Sequence, residues 1–241
     1  MLKVFLDSAK IEDIIRLSTD DMITGFTTNP TLMAKNGITD YEYFAKEALY
    51  YIGKNCPNKS ISLEVFADDF DEMERQALLI KSWGKEAAAR VYVKIPIMNT
   101  KGEDSYELIR ALSLQEVPMN VTAIFTIDQV RNTLHNLNMH IPSIVSIFAG
   151  RIADAGVDPL PIFRDAISLR QMENMPKVEF LWASPREIFN LVQAREIGAD
   201  IITMTPDLIN KIPGLGKNLR EFSRETVEMF YNDSVKSGFK I

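Results

Sequence analysis

One cysteine, Cys56, and two histidines, His135 and His140, are the only thiol and imidazole groups in 241 residues. A lone cysteine excludes an internal disulfide and any multi-cysteine metal site, so its expected role is structural. Two imidazoles argue against a multi-histidine metal centre. Neither a metal nor an organic cofactor is expected. No uninterrupted apolar run approaches ~18 residues, so no segment reads as a membrane span. The opening Met1-Leu2-Lys3-Val4-Phe5-Leu6-Asp7 is too poor in apolar residues to read as a signal peptide. Positive charge is in deficit: 27 Lys and Arg against 33 Asp and Glu leave a net charge of −6. That excludes a general bias toward nucleic acid or anionic membrane and leaves room for a local phosphate site. A reducing, cytoplasmic location is the default expectation. No linker, low-complexity segment or composition break divides the chain, so a single domain over residues 1–241 is expected.

What is present is a core-forming 46% of hydrophobic residues, distributed with a regular beat. Short apolar runs predict strands at Val4–Leu6, Met22–Phe26, Ser60–Phe66, Arg90–Ile95, Met119–Ile124, Ile144–Phe148, Val178–Trp182 and Ile201–Met204. Amphipathic stretches between them predict helices at Lys10–Ser18, Tyr41–Gly53, Asp68–Trp83, Glu103–Gln115, Ile127–Leu137, Pro159–Met172 and Pro185–Ile197. Asp207–Lys211 and Lys217–Tyr231 follow, a helical C-terminal segment of about 205–236. Several strands are apolar throughout, as when both faces of a parallel sheet are covered. Eight β/α units in about 250 residues predict an α/β fold, a single-domain (β/α)8 TIM barrel. An open doubly wound sheet is the alternative, but no first βα turn carries a Gly-rich phosphate loop.

Lys94 stands out within Arg90-Val91-Tyr92-Val93-Lys94-Ile95-Pro96. It interrupts an apolar alternation just where Pro96, which cannot donate to a ladder, should stop the strand. An amine buried among apolar groups loses its charge more readily, and a neutral amine attacks carbonyls to form Schiff bases. The ordinary alternative is a lysine whose head reaches solvent at a strand end.

Barrel chemistry sits at the carboxyl ends of strands, and polar residues gather there. They are Asp7-Ser8, Thr27-Thr28-Asn29-Pro30, Glu64, Lys94, Asn120 and Thr122, Ser146 followed by Gly150-Arg151 and Asp154, then Ser184 and Arg186. Each has an ordinary reading. Asp7 would cap the next helix, Asn29 would start a turn, Glu64 would pair with Arg90 or Lys94, and Arg151 with Asp154. Together they would gather charges at one mouth without use, at several kcal/mol for each buried unpaired ion.

The sequence resembles the transaldolase family, particularly its short members. The resemblance is carried by Phe5-Leu6-Asp7-Ser8-Ala9, Thr27-Thr28-Asn29-Pro30-Thr31-Leu32, Val93-Lys94-Ile95-Pro96, Asn120-Val121-Thr122-Ala123-Ile124-Phe125, Ser146-Ile147-Phe148-Ala149-Gly150-Arg151-Ile152 and Ala183-Ser184-Pro185-Arg186. These blocks occur in family order. The resemblance implies that Lys94 forms a Schiff base with a ketose phosphate and Asp7 takes the proton from its C4 hydroxyl. Glu64 and Thr122 resemble the pair that holds a catalytic water. Asn29, Asn120 and Ser146 would bind hydroxyls of a three-carbon unit, with Thr28 and Phe148 in the same substrate-binding set. Arg151, Ser184 and Arg186 match phosphate-binding positions. The partners implied are small-molecule sugar phosphates, and the state a homo-oligomer. Phe222, Val227, Met229, Phe230 and Val235 would cover a neighbour or the chain's own barrel.

Departures from the family pattern are Phe26 before the Thr-Thr pair, Met98 in a longer segment after the lysine, and Pro185 beside Arg186. Glutamine at position 64 and tyrosine at 148 would look more like a lyase that releases free dihydroxyacetone. Glu64 and Phe148 therefore favour a transferase, with a non-catalytic sugar-phosphate-binding barrel as the remaining alternative.

Overall fold

Eight parallel strands close into a barrel in strict sequence order. The structure, a computed structural model, describes residues 1–241. The strands are β1 (Lys3–Asp7), β2 (Ile23–Thr27), β3 (Ser60–Glu64), β4 (Arg90–Pro96), β5 (Met119–Ile124), β6 (Ser143–Ile147), β7 (Val178–Trp182) and β8 (Ile201–Met204). The helices are α1 (Ile11–Ser18), α2 (Pro30–Lys35), α3 (Tyr41–Asn55), α4 (Phe70–Glu86), α5 (Tyr106–Leu114), α6 (Ile127–Asn136), α7 (Ala149–Asp154), α8 (Leu160–Met172), α9 (Phe189–Ile197), α10 (Pro206–Ile209) and α11 (Leu219–Ser237). This is the predicted (β/α)8 barrel. The chain divides into two compact units, Met1–Ile209 and Asn210–Ile241, and the first holds every strand.

Period-two alternation sorts each strand into two faces. Leu6, Phe26, Leu63, Val93, Val121 and Trp182 face outward, buried under the helical layer. Trp182 stacks on Phe163 of α8 with ring centroids 5.0 Å apart. Phe26 thus belongs to this outer layer, and its departure from the family pattern leaves the barrel interior unchanged. Inside the barrel, Phe5, Ile144, Leu181, Ala183 and Ile201 form an apolar plug, joined by Tyr92 and Phe148. Gly25 makes room for the Phe5 ring: a Cβ there would lie 2.6 Å from it. Lys3 and Glu179 pair at 2.7 Å at the amino-terminal end.

Helix starts follow local chemistry. Asp40 and Asp69 cap α3 and α4, each accepting a backbone N–H, and Thr126 with Gln129 forms a capping box on α6. Two helix starts lie three or more residues later than the periodicity predicts. Asn99 holds the N–H groups of Lys101 and Glu103, so that stretch is a loop and α5 begins at Tyr106. Met98 sits in the same loop, bridged to Asp104. Asn190 likewise holds the N–H groups of Arg186 and Glu187, delaying α9 to Phe189. The short helices α2 and α7 were not predicted, since six residues hold too few turns for a periodic signal. No helix is long and apolar enough to cross a membrane.

The second unit consists of a short 3-10 turn, Ile212–Gly214, and α11. Asn218 caps α11, and Gly238 ends it in the left-handed region at φ 66°. Arg224 pairs with Glu221 and Glu228 along its surface. No residue of α11 is buried, and Phe222, Val227, Met229, Phe230 and Val235 are exposed.

Gly53 lets α3 approach the chain after α4, because a Cβ there would lie 1.9 Å from the carbonyl oxygen of Ala87. The obstacle is backbone and cannot rotate away. Gly53→Ala should destabilise the protein by about 1–3 kcal/mol despite alanine's better helix propensity. Urea denaturation would check the sign, which propensity alone would reverse.

Candidate active site

Strand register, rather than sequence proximity, assembles the polar mouth. Glu64 of β3 lies beside Lys94 of β4, and Lys94 beside Asn120 of β5. Asp7 of β1 lies beside Thr27 of β2. All face inward; Asp7, Thr27 and Glu64 end their strands, while Lys94 and Asn120 lie further back along β4 and β5. They line a cavity of about 410 Å³ together with Asn29, Thr122, Ser146, Phe148, Arg151, Ser184 and Thr203.

The Lys94 side chain is buried. Its Nζ reaches Glu64 Oε2 at 2.8 Å and donates to the carbonyl oxygen of Thr28 at 3.0 Å. The predicted apolar setting is therefore corrected: Val93 and Ile95 face outward, while the amine enters a polar cavity. Of the two pairings open to Glu64, the one with Lys94 forms. The Glu64 backbone is itself pinned, as Tyr41 Oη donates to its carbonyl oxygen at 2.7 Å.

Asp7 does not cap α1. That helix starts at Ile11, after Lys10, without a side-chain cap, and Ser8 instead accepts the Lys10 N–H and donates to Asp13. Asp7 Oδ1 accepts from Thr27 Oγ1 at 2.7 Å, and no protein group donates to Oδ2. Burial pushes the Asp7 carboxyl above its ordinary value; the Lys94 charge and the Thr27 hydrogen bond pull it down, and Glu64 raises it further. Thr27 Oγ1 also lies 2.5 Å from Thr203 Oγ1 of β8.

The amide and hydroxyl groups are partly committed. Ser146 Oγ donates to Asn120 Oδ1 at 2.6 Å, and Asn120 Nδ2 donates to Ser62 Oγ at 3.0 Å. One N–H of Asn120 remains for a ligand. Asn29 Oδ1 caps α2 by accepting the Leu32 N–H at 3.0 Å, which leaves its NH2 group uncommitted. Thr122 Oγ1 has no protein partner. Thr28 departs from the predicted set: it is fully buried outside the cavity lining, and it serves through its carbonyl.

The phosphate-type residues separate. Arg151 lines the cavity and lies over the Phe148 ring, 5.8 Å from its centroid. It does not pair with Asp154, because Arg186 holds that carboxylate through both Nε and Nη2. Arg186 stands outside the cavity lining, whereas Ser184 lies within it. Ser184 takes a left-handed φ of 58°, and a Cβ on Gly150 would lie 1.5 Å from its carbonyl oxygen. Glycine at 150 is thus required for α7 to start against this loop. Ala123, also in the lining, adopts φ 60° at the irregular end of β5. Such backbone is costly for non-glycine residues and clusters at functional sites.

A buried amine, two carboxylates and several half-used polar groups around one cavity are suited to proton transfers at a covalently held carbonyl compound. No group of three or more His, Cys, Asp or Glu side chains is placed to hold a metal. The family described as transaldolase/fructose-6-phosphate aldolase matches residues 4–241. The chain belongs to this family. A probable transaldolase of Dehalococcoides mccartyi is 34% identical over 204 residues, covering 84% of this chain and 86% of that one. A probable transaldolase of Nitrosopumilus maritimus is 31% identical, covering 88% and 87%. Solved structures show the fold alone. A 3-hexulose-6-phosphate synthase superposes with TM-score 0.53 at 15% identity, covering 85% of this chain and 89% of that chain. A putative fructose-1,6-bisphosphate aldolase of Coccidioides immitis gives 0.56 at 10%, covering 85% and 73%.

Thr203 is among the lining residues that sequence reasoning missed, with Thr27, Phe125, Leu181 and Ala183. Its signal was a lone hydroxyl inside Ile201-Ile202-Thr203-Met204, at the inward-facing position of the last strand.

The raised Asp7 carboxyl has a consequence for stability. Between its unfolded and its higher folded pKa the native state binds more protons than the unfolded one, so this group's effect on stability worsens as pH rises. Asp7→Asn should therefore raise Tm at pH 7–8. That gain should shrink as pH falls through the folded pKa toward 3.8, its ordinary value. Thermal unfolding at several pH values checks it; a variant less stable than the parent at pH 8 would contradict the burial argument.

Proposed function

We propose that the protein transfers a three-carbon dihydroxyacetone unit from a ketose phosphate to an aldose phosphate through a Schiff base on Lys94. The observation that carries this reading is the buried Lys94 amine facing the cavity with the Glu64 and Asp7 carboxylates around it. The amine attacks the donor's C2 carbonyl and, with loss of water, forms an imine. The protonated imine draws the electron pair of the breaking C3–C4 bond. Asp7 takes the C4 hydroxyl proton through the oxygen that Thr27 leaves open. An aldose phosphate departs, the enamine on Lys94 attacks an acceptor aldehyde, and water hydrolyses the resulting imine to free the new ketose phosphate and the amine.

Glu64 and the unpartnered Thr122 hydroxyl, both in the cavity lining, would hold a water for proton transfers at the imine. Asn120 and Asn29 offer free N–H groups to substrate hydroxyls. Arg151 supplies a cation inside the cavity for the phosphate, with Ser184 beside it. Arg186 would join them only by leaving Asp154.

The second reading is a lyase that releases free dihydroxyacetone. Phe148 argues against it. It lines the cavity, its ring offers no hydrogen-bonding group, and it packs on Phe125 at 5.8 Å. A third reading, a barrel that binds sugar phosphate without catalysis, conflicts with an intact set of Asp7, Glu64, Lys94 and Thr122.

Borohydride added with fructose 6-phosphate should inactivate the protein and leave a reduced three-carbon adduct on Lys94, read by peptide mass spectrometry. Labelling of a different lysine, or none while turnover proceeds, would refute the assignment.

Transfer and release separate when fructose 6-phosphate is supplied with and without an acceptor and free dihydroxyacetone is measured. The parent should favour transfer whenever acceptor is present. Phe148→Tyr should increase release, because a placed acid–base group is typically worth about 10²–10⁴-fold. Release from the parent as fast as transfer would make it a lyase.

A further inference from the structure

We propose that Thr203 is a positioning residue for Asp7, acting through Thr27: it donates a hydrogen bond to Thr27 and so aims the Thr27 hydroxyl at the Asp7 carboxylate. This rests on the role given to Asp7 above. The argument begins with a count of hydrogens. Thr27 has one hydroxyl hydrogen, and its Oγ1 lies 2.7 Å from an oxygen that, when ionised, only accepts. That hydrogen is therefore spent on Asp7. The 2.5 Å contact between Thr27 Oγ1 and Thr203 Oγ1 is then a hydrogen bond only if Thr203 is its donor. The direction runs one way, from Thr203 to Thr27 to Asp7.

The fold explains why this chain of hydroxyls exists. β8 and β2 both flank β1, so Thr203 and Thr27 approach each other across the inner face of β1. The Phe5 ring, inward on the same strand, belongs to the apolar plug, and Asp7 stands two residues further along. Both threonines are buried in the protein, Thr27 at 3% and Thr203 at 6% exposure. Chained hydrogen bonds polarise one another, which strengthens the last bond, the one Asp7 receives. The outcome is a carboxylate with Oδ1 fixed by the protein and Oδ2 open to the substrate hydroxyl.

The charged groups that act on Asp7 are Lys94 on β4 and Glu64 on β3, with Arg151 of α7 in the same cavity lining. β2 and β8 present only hydroxyls to it. Removing the Thr203 hydroxyl leaves those charges in place. It frees Thr27 to rotate, so Asp7 loses part of a hydrogen bond that favours its ionised form.

Carbon-13 NMR of the Asp7 carboxyl, assigned by its loss in Asp7→Asn, follows its titration without requiring turnover. Thr203→Val, equal in shape but without the hydroxyl, should move the midpoint to higher pH. The acidic limb of kcat/KM should move with it, and kcat/KM should fall about three- to tenfold. Thr203→Ser should restore both. In a Thr27→Val background, Thr203→Val should add no further shift, since the intermediary is gone. An unmoved midpoint in Thr203→Val, or equal shifts with and without Thr27, would overturn the proposal. Borohydride trapping on the unmutated protein reads the Lys94 chemistry separately. A failure there strikes the transferase reading and leaves the titration result to decide the hydroxyl chain.

Discussion

The Lys94–Glu64 ion pair is the constraint around which the barrel interior is arranged. Each charge alone would cost several kcal/mol to bury, and removing one partner would leave the other uncompensated. The pair is tolerable because β3 and β4 are in register at that level and because a backbone carbonyl, from Thr28, takes a further ammonium hydrogen. Closure of the barrel makes this register rigid. A slip by one residue would turn Lys94 and Glu64 into the outer apolar layer beneath the helices, so the fold and the charge pair specify one another.

Around that pair, the polar groups at the mouth divide into those committed to the protein and those left open. Ser146, Asn120 and Ser62 form a chain from β6 through β5 to β3, and Thr203, Thr27 and Asp7 form another across β1. Each chain fixes side chains by using part of their hydrogen-bonding capacity. What remains points to the cavity: one N–H of Asn120, the NH2 of Asn29, the Thr122 hydroxyl and one oxygen of Asp7. This is preorganisation in the physical sense, since ordering of these groups has been met by folding rather than by substrate binding.

The loops add a second requirement. Ser184 and Ala123 adopt left-handed backbone at the mouth, and Gly150 is needed where α7 meets the Ser184 carbonyl. This geometry brings Arg151 and Ser184 into the cavity lining while Arg186 stays with Asp154. Two arginines that look equivalent in the chain thus differ in availability. One lies over the Phe148 ring, and the other has its fork filled by a carboxylate.

The strand pattern was legible because a parallel barrel needs outward apolar residues on every strand, and runs such as Val121, Val145 and Phe180 carry that signal locally. Lys94, Glu64 and Asp7 were legible because charges are expensive in such runs. The longer helices were legible from their apolar spacing, whereas α2 and α7 were too short to show one. Partner choice was beyond local reading. Whether Glu64 met Arg90 or Lys94, whether Asp7 capped a helix, and whether Arg151 or Arg186 took Asp154 depended on register and on loops distant in sequence. Thr203 shows the limit most plainly: 176 residues separate it from Thr27. By itself the sequence determined the barrel, because the barrel rests on period and composition, and it singled out Lys94 as a charge in an apolar run. Only the tertiary structure decided which oxygen and nitrogen atoms face one another, because hydrogen bonds form between neighbours in space and barrel closure chooses those neighbours.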